Sequence, residues 1–254
     1  MAYDYGASTL TAILIGVFAL SLFSGMLGLG AAFATIPYLS IFMVDIVHEV
    51  QPVALLLNGF TAMFSAFGFA WSGFVKWRDA LLLAVVTTTS APLGSILVQF
   101  IPSIYVWVVY FAATLYLAYR LFKPVKATAQ KGPNLKLAIV LAIPISILAG
   151  FLGVGPGFLL MPTLILLGYE PKVSAGINAI AVCPPSFSAF IPHIYTMKIS
   201  PTLVAYIVIA GSIASYIGAR ITVKYVKGST LKKVFALLIV VMTAYRLLKF
   251  FVYF

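Results

Sequence analysis

Apolar residues fill this chain in long unbroken runs, and polar residues collect in the short gaps between them. Ten runs can be marked, at roughly 8–27, 31–47, 52–72, 79–100, 103–122, 135–152, 157–168, 172–195, 201–223 and 230–252. Most approach the ~20 residues that a helix needs to cross the hydrocarbon core of a bilayer. They do not alternate with period two, as membrane-barrel strands do. The pattern predicts an all-α polytopic membrane protein. The seventh run holds only about twelve residues, and at ~1.5 Å per residue it is too short to cross ~30 Å of hydrocarbon. The sixth and seventh runs are therefore candidate arms of a re-entrant hairpin, with the first and second as their counterpart.

The one long polar interruption is "KPVKATAQKGPN" at 123–134. It divides the chain into a first membrane repeat (1–122), a basic cytoplasmic linker (123–134) and a second membrane repeat (135–254). The halves echo each other. "GMLGLGAAFATIP" begins at Gly25 and "GFLGVGPGFLLMP" at Gly150, so that Gly25, Gly28, Gly30 and Pro37 match Gly150, Gly153, Gly155 and Pro162 without a gap. "VALLLN", ending at Asn58, matches "VSAGIN", ending at Asn178; Gly94 matches Gly218, Lys76 matches Lys198, and "AYRLFK" (118–123) matches "AYRLLK" (244–249). Five runs per half is an odd number, so the second copy is expected to enter the membrane inverted.

Charge supports that threading. With the N-terminus outside, the inner loops hold thirteen basic residues, among them Lys76, Arg78, Lys136, Lys172, Arg220 and Lys224. The outer side keeps only Lys198, Arg246 and Lys249. This is a strong positive-inside bias. The expected location is the cell membrane, with multiple passes.

Composition narrows the class further. Of 254 residues 63% are hydrophobic and 8% charged, against roughly 25% charged in soluble domains. The net charge of +11 follows from the inner loops and does not point to a nucleic-acid partner. "MAYDYGASTL" lacks a basic n-region, so no cleaved signal peptide is expected. Cys183 is the single cysteine, which excludes an intrachain disulfide and a cysteine metal cluster. No cofactor or metal is expected.

The repeated glycine stretch carries the candidate chemistry. In each copy a helix runs into glycines and a second helix starts beyond them. Glycine accepts positive φ and lets backbones approach closely. Ala31, Ala32 and Phe33, and likewise Gly157, Phe158 and Leu159, are expected to offer unpaired N–H groups at a helix start, where anions bind. Irregular backbone at membrane depth is tolerated where it lines a cavity or is buried in protein, and broken helices in inverted repeats mark substrate sites in many transporters. Small residues also let membrane helices touch, and on residues alone the two readings stand side by side. A dinucleotide loop is a poor fit, because it needs a strand before it.

With these residues in view, "SGMLGLGAAF…P" and "AGFLGVGPGF…P", one per half and each followed by an Asn some twenty residues on, resemble the sulfite exporter TauE/SafE-like membrane transporters. The resemblance runs over the whole chain. It departs where that family typically reads three glycines: here stand Gly30-Ala31-Ala32 and Gly155-Pro156-Gly157. The resemblance implies transport of small sulfur-containing anions such as sulfite, thiosulfate or sulfonates.

Other polar residues are weighed beside the turns. Asn58 and Asn178 sit inside apolar runs, either as interhelical glue or as solute contacts, and Ser65 lies two turns after Asn58. "CPPSF" (183–187) is expected to break the eighth run, freeing carbonyls that need a partner. His193 and His48 are expected to be solvated near the outer surface, and Arg246 to snorkel outward. Asp4, Asp45, Glu49, Asp79 and Glu170 all fall in loops or at run ends, so a proton relay on intramembrane carboxylates is not expected. The functional expectation is a secondary transporter or facilitator for a small anionic solute in the lipid bilayer, not an enzyme. The alternative is an anion channel of the same architecture, and a homo-oligomer is allowed. The site is expected at Gly28, Gly30, Ala31, Ala32, Asn58, Gly153, Gly155, Gly157, Phe158 and Asn178, between the two glycine breaks near the midplane.

Overall fold

The computed structural model describes residues 6–102 and 132–227, with a few positions beyond (104–106, 108–109, 112, 230, 237 and 241). Most of the fifth and tenth apolar runs and of the basic linker lie outside the described residues. Those described are helical or in turns, with no strand among them.

Helix α1 (Ala7–Leu27) ends at Gly28, whose φ of 63° is left-handed. Gly28 N–H donates to the Gly25 carbonyl at 3.2 Å and Leu29 N–H to the Ser24 carbonyl at 3.1 Å. This is a Schellman stop, which needs a residue without a Cβ at that position. Helix α2 (Ala32–Leu39) is only 8 residues long. The sequence run 31–47 therefore contains a short helix, a turn and one π-helical turn (Ile46–Val50) leading straight into α3 (Gln51–Ala70). Asp45 ends the turn: its Oδ1 accepts from the Val47 and His48 amides, both at 3.1 Å. Helix α4 (Trp77–Val98) follows.

Beyond the linker the local design recurs. Helix α5 (Leu135–Leu152) stops at Gly153, with φ 69°. Its closing bonds, Gly153 N–H to the Gly150 carbonyl at 3.2 Å and Val154 N–H to the Ala149 carbonyl at 3.1 Å, match those of the first stop. A short helix α6 (Gly157–Leu166) comes next, then α7 (Pro171–Phe190) and α8 (Pro201–Tyr225). Among the described residues six helices are long and apolar enough to cross a membrane: Ala7–Leu27, Ile46–Ala70, Trp77–Val98, Leu135–Leu152, Pro171–His193 and Pro201–Tyr225. The short α2 and α6 are not among them. At ~1.5 Å per residue they reach about halfway through a hydrocarbon core.

Packing pairs the helices across the linker. Helix α1 lies on α8 and α4 on α5; α3 also contacts α8, α4 contacts α7, and α3 and α7 meet at the centre. Close approach needs glycine at two crossings: a Cβ on Gly94 would collide with the Ile147 carbonyl, and one on Gly218 with the Leu22 carbonyl. The buried core gathers around α2, α3, α6 and α7, whereas Leu81, Val85, Leu93, Ile209 and Ile213 stay exposed on α4 and α8. In a bilayer that outer surface meets acyl chains, and the ordinary penalty for exposed apolar area does not apply.

The eighth run overturns an expectation. The double proline at Pro184 and Pro185 does not break α7, which runs continuously from Pro171 to Phe190. Pro185 leaves the Ala181 carbonyl without its i+4 donor, and the Thr87 hydroxyl of α4 donates to it at 2.9 Å. A neighbouring helix thus replaces the missing backbone bond.

Candidate functional site

The two glycine corners meet. Gly28 and Gly30 (φ 71°) shape the first, Gly153 and Gly155 (φ 69°) the second, and all four are buried. Gly30 and Gly155 both press on the side chain of Asn58, and the Cα of Gly157 faces the Leu29 carbonyl of the opposite corner. Just beyond the corners, Phe33 and Phe158 stack with ring centroids 5.0 Å apart and 11° between planes. Gly28, Gly30, Ala31, Ala32, Asn58, Gly153, Gly155, Gly157, Phe158 and Asn178 therefore form one buried cluster built from α2, α3, α6, α7 and the two corners.

The two short helices start differently. Asn58 Oδ1 accepts from the Ala32 amide at 2.9 Å, and Thr61 Oγ1 accepts from the Ala31 amide at 3.0 Å. The N–H groups of Ala31 and Ala32, expected to be unpaired, are thus capped from α3. The physical reason is the double bend at Gly28 and Gly30, which folds the start of α2 directly onto the polar stripe of α3. The other end of the Asn58 amide donates to Ser186 Oγ at 2.8 Å, which fixes its orientation.

In the second copy Pro156 has no N–H to offer. The amides of Gly157 and Phe158 find no acceptor among the described residues. Asn178 lies against Gly157, but its Nδ2 donates to the Gly28 carbonyl at 2.7 Å. That carbonyl can only accept, so the amide orientation is set and Oδ1 is left buried without a partner. One helix start is closed by side chains. The other keeps two free donors and one free acceptor.

Several of these residues escaped the sequence reading. Thr61, Ser186 and Thr87 form the polar links, and Gln51 Nε2 reaches the Phe151 carbonyl at 3.3 Å. The only available signal was a polar residue inside an apolar run. Ser65 donates to the Gly25 carbonyl at 3.0 Å, which makes it a tie between α3 and α1. Glu49 is the one buried carboxylate among the described residues, and it sits in the π-helical turn before α3, accepting from the Val44 and Asp45 amides. The buried network around the corners is neutral.

Both ends of the bundle are tied across the halves. At the end carrying His48, Asp45 Oδ2 lies 2.7 Å from His48 Nδ1 and 3.9 Å from Lys198 Nζ, and the Lys198 amide donates to the His48 carbonyl at 2.9 Å. Burial alone would raise the Asp45 carboxyl, but bonds from the His48 and Val47 amides and the His48 ring bring it below its usual value. His193, expected to be solvated, is fully buried beside Gln99, with Nδ1 2.9 Å from Gln99 Nε2. At the opposite end Tyr169 donates to Asp79 at 2.8 Å, and Lys76 lies over the Tyr169 ring. Burial, then the bond to Asp79 and its charge, push the Tyr169 phenol well above its ordinary range.

Comparison with known proteins decides the family. The family described as "Sulfite exporter TauE/SafE" matches residues 12–246, nearly the whole chain. The chain belongs to the TauE/SafE family. A probable membrane transporter protein of Xylella fastidiosa (strain Temecula1) is 28% identical over 62% of this chain and 64% of its own length, so the match spans a little under two thirds of that relative. One from Xylella fastidiosa (strain 9a5c) is 23% identical over 87% of this chain and 88% of its own. One from Bacillus subtilis is 21% identical over 83% and 89%. No solved structure matches the chain. TauE/SafE membership, these relatives' descriptions and the six apolar helices support a multi-pass membrane transporter.

Proposed function

We propose that this chain is a secondary transporter or facilitator that moves small sulfur-containing anions (sulfite, thiosulfate or an organosulfonate) across the cell membrane, handling the solute between its two glycine corners. In this reading the halves are inverted copies, with the N-terminus outside. The helix pairings support it: exchanging the halves turns the α1–α8 contact into α5–α4, and α3–α8 into α7–α4.

The observation that carries the anion assignment is the start of α6. Two buried backbone N–H groups, at Gly157 and Phe158, have no acceptor beside a neutral polar network. Leaving donors dry is unfavourable by about 1–3 kcal/mol each. A solute that presents oxygen acceptors removes that penalty, and the helix N-terminus favours negative charge. Oxyanions of sulfur present such oxygens on several sides. Asn178 Oδ1 remains as an acceptor for a protonated or hydroxyl-bearing solute. The corners are packed shut against each other, which supports a carrier with alternating access over an open anion pore.

The test is flux of labelled sulfite, thiosulfate and sulfoacetate, each in turn, across the membrane of proteoliposomes. Saturable flux with counterflow is expected for at least one of them. Unsaturated conductance would instead favour the pore. If all three cross no faster than in protein-free vesicles, the sulfur-anion assignment is wrong.

A further inference from the structure

A cleft of about 560 Å³ opens where α4 and α5 begin side by side, lined by Arg78, Leu82, Asn134, Leu135, Lys136 and Ile139 among others. It lies at the Lys76 end of the bundle, away from the glycine corners. We propose that this cleft binds the headgroup of an anionic phospholipid, with an acyl chain lying against the apolar wall below it. The proposal does not depend on what the protein transports.

Three observations carry it. First, the basic groups are uncommitted: among the described residues no carboxylate lies at ion-pair distance from Arg78 or Lys136. The nearest acid in sequence, Asp79, is held by the Tyr169 hydroxyl. Second, the cleft is lined by donors, with no carboxylate among its lining residues. Asn134 spends its Oδ1 capping α5, accepting from the Leu137 amide at 3.1 Å, so its amide nitrogen is left to donate beside two cations. That set suits a phosphodiester, and arginine matches its oxygens in forked geometry. Third, polarity changes along the cleft as it does along a lipid. Leu82 lies one turn beyond Arg78 on α4, and Ile139 nearly one turn beyond Lys136 on α5. Both shafts are long and apolar enough to span the membrane. Leu82 is 41% exposed, and Trp77, beside Arg78, is 53% exposed, an aromatic at the level where headgroups sit. A free phosphate would use the charges alone and leave the Leu82 and Ile139 wall without a role. Basic pockets between membrane helices on the positively charged face are suited to anionic headgroups.

The experiment uses the full chain in a neutral detergent, with phosphatidylglycerol or phosphatidylcholine added, reading thermal stability and retained lipid by native mass spectrometry. Phosphatidylglycerol raises the melting midpoint more than phosphatidylcholine does. In the Arg78→Gln/Lys136→Gln variant its affinity falls by roughly 30-fold, as expected for the loss of two basic contacts. The charge-preserving Arg78→Lys/Lys136→Arg variant keeps most of the effect, and Lys224→Gln, outside the cleft, keeps all of it. An unchanged phosphatidylglycerol response in the double Gln variant overturns the proposal, as does equal stabilisation by both lipids. Reproduction of the full shift by inorganic phosphate alone overturns the lipid assignment. Should the double variant fail to fold, the exposed single change Lys136→Gln carries the same test through lipid retention.

Discussion

Asn58 uses both ends of its amide, capping the Ala32 N–H with Oδ1 and donating to Ser186 through Nδ2. Asn178, its sequence counterpart, uses one end and leaves Oδ1 buried and unpaired. Removing Asn58 orphans a buried backbone donor, whereas removing Asn178 also removes an atom that is already unsatisfied. Asn58→Ala should therefore destabilise the protein by about 1–3 kcal/mol, and Asn178→Ala by clearly less, with solute uptake the quantity more affected. Melting in detergent beside proteoliposome flux measures both; the opposite order of stabilities would contradict this division of labour. Both asparagines were legible from the sequence because amides are rare inside apolar runs. Thr61 and Ser186 were not. A helical Thr or Ser usually bonds back to its own helix, as Thr61 does to the Leu57 carbonyl at 2.7 Å, and nothing local reveals a second partner elsewhere in the chain. Asp45 gives a pH prediction. Its carboxyl titrates below its usual value, so its contribution is fully present above the unfolded value of about 3.9 and is lost as pH falls through the lowered folded value. The melting midpoint should drop on acidification below about pH 4, and Asp45→Asn should be lower at neutral pH with a weaker drop.

At the scale of elements, α7 illustrates how neighbours override propensity. Two adjacent prolines argue for a break, yet the helix continues because the Thr87 hydroxyl on α4 satisfies the Ala181 carbonyl. Thr87→Val keeps the shape and removes that donor. It should lower stability by about 1–3 kcal/mol, and hydrogen exchange should accelerate around Ala181 more than in α3. Uniform exchange would mean that the carbonyl needs no partner. The threonine run 87–89 was visible in the sequence, but its use depends on which face of α4 meets α7, and that is a tertiary fact. The second apolar run misled for a related reason. Residues 40–45 form a turn after α2, where Met43 is buried, while Ile46–Val50 already open the next membrane-length helix. Hydropathy reports the medium around a residue, so a short helix, a turn and the start of the next helix merged into one run.

For the whole molecule, the decisive matter is which face each loop occupies. Lys76 and Lys198 are counterparts in sequence, yet they sit at opposite ends of α3. Lys198 meets Asp45 and His48 at its start, and Lys76 follows its end and meets Tyr169. A parallel duplication would put such counterparts on one side; the inverted one proposed here would separate them. The separation of Lys76 from Lys198 supports the proposed inversion, which the long apolar runs and the glycine repeat led us to expect, while the contacts that close the centre needed the fold. Single cysteines test it directly, in a Cys183→Ala background. Residues 48 and 198 should react with a membrane-impermeant maleimide added outside intact cells, and residues 76 and 172 only after permeabilisation. Labelling of 76 and 198 from the same side is incompatible with inverted halves. It would also remove the basis for alternating access, because two corners entering from the same face cannot exchange roles by rocking one half against the other.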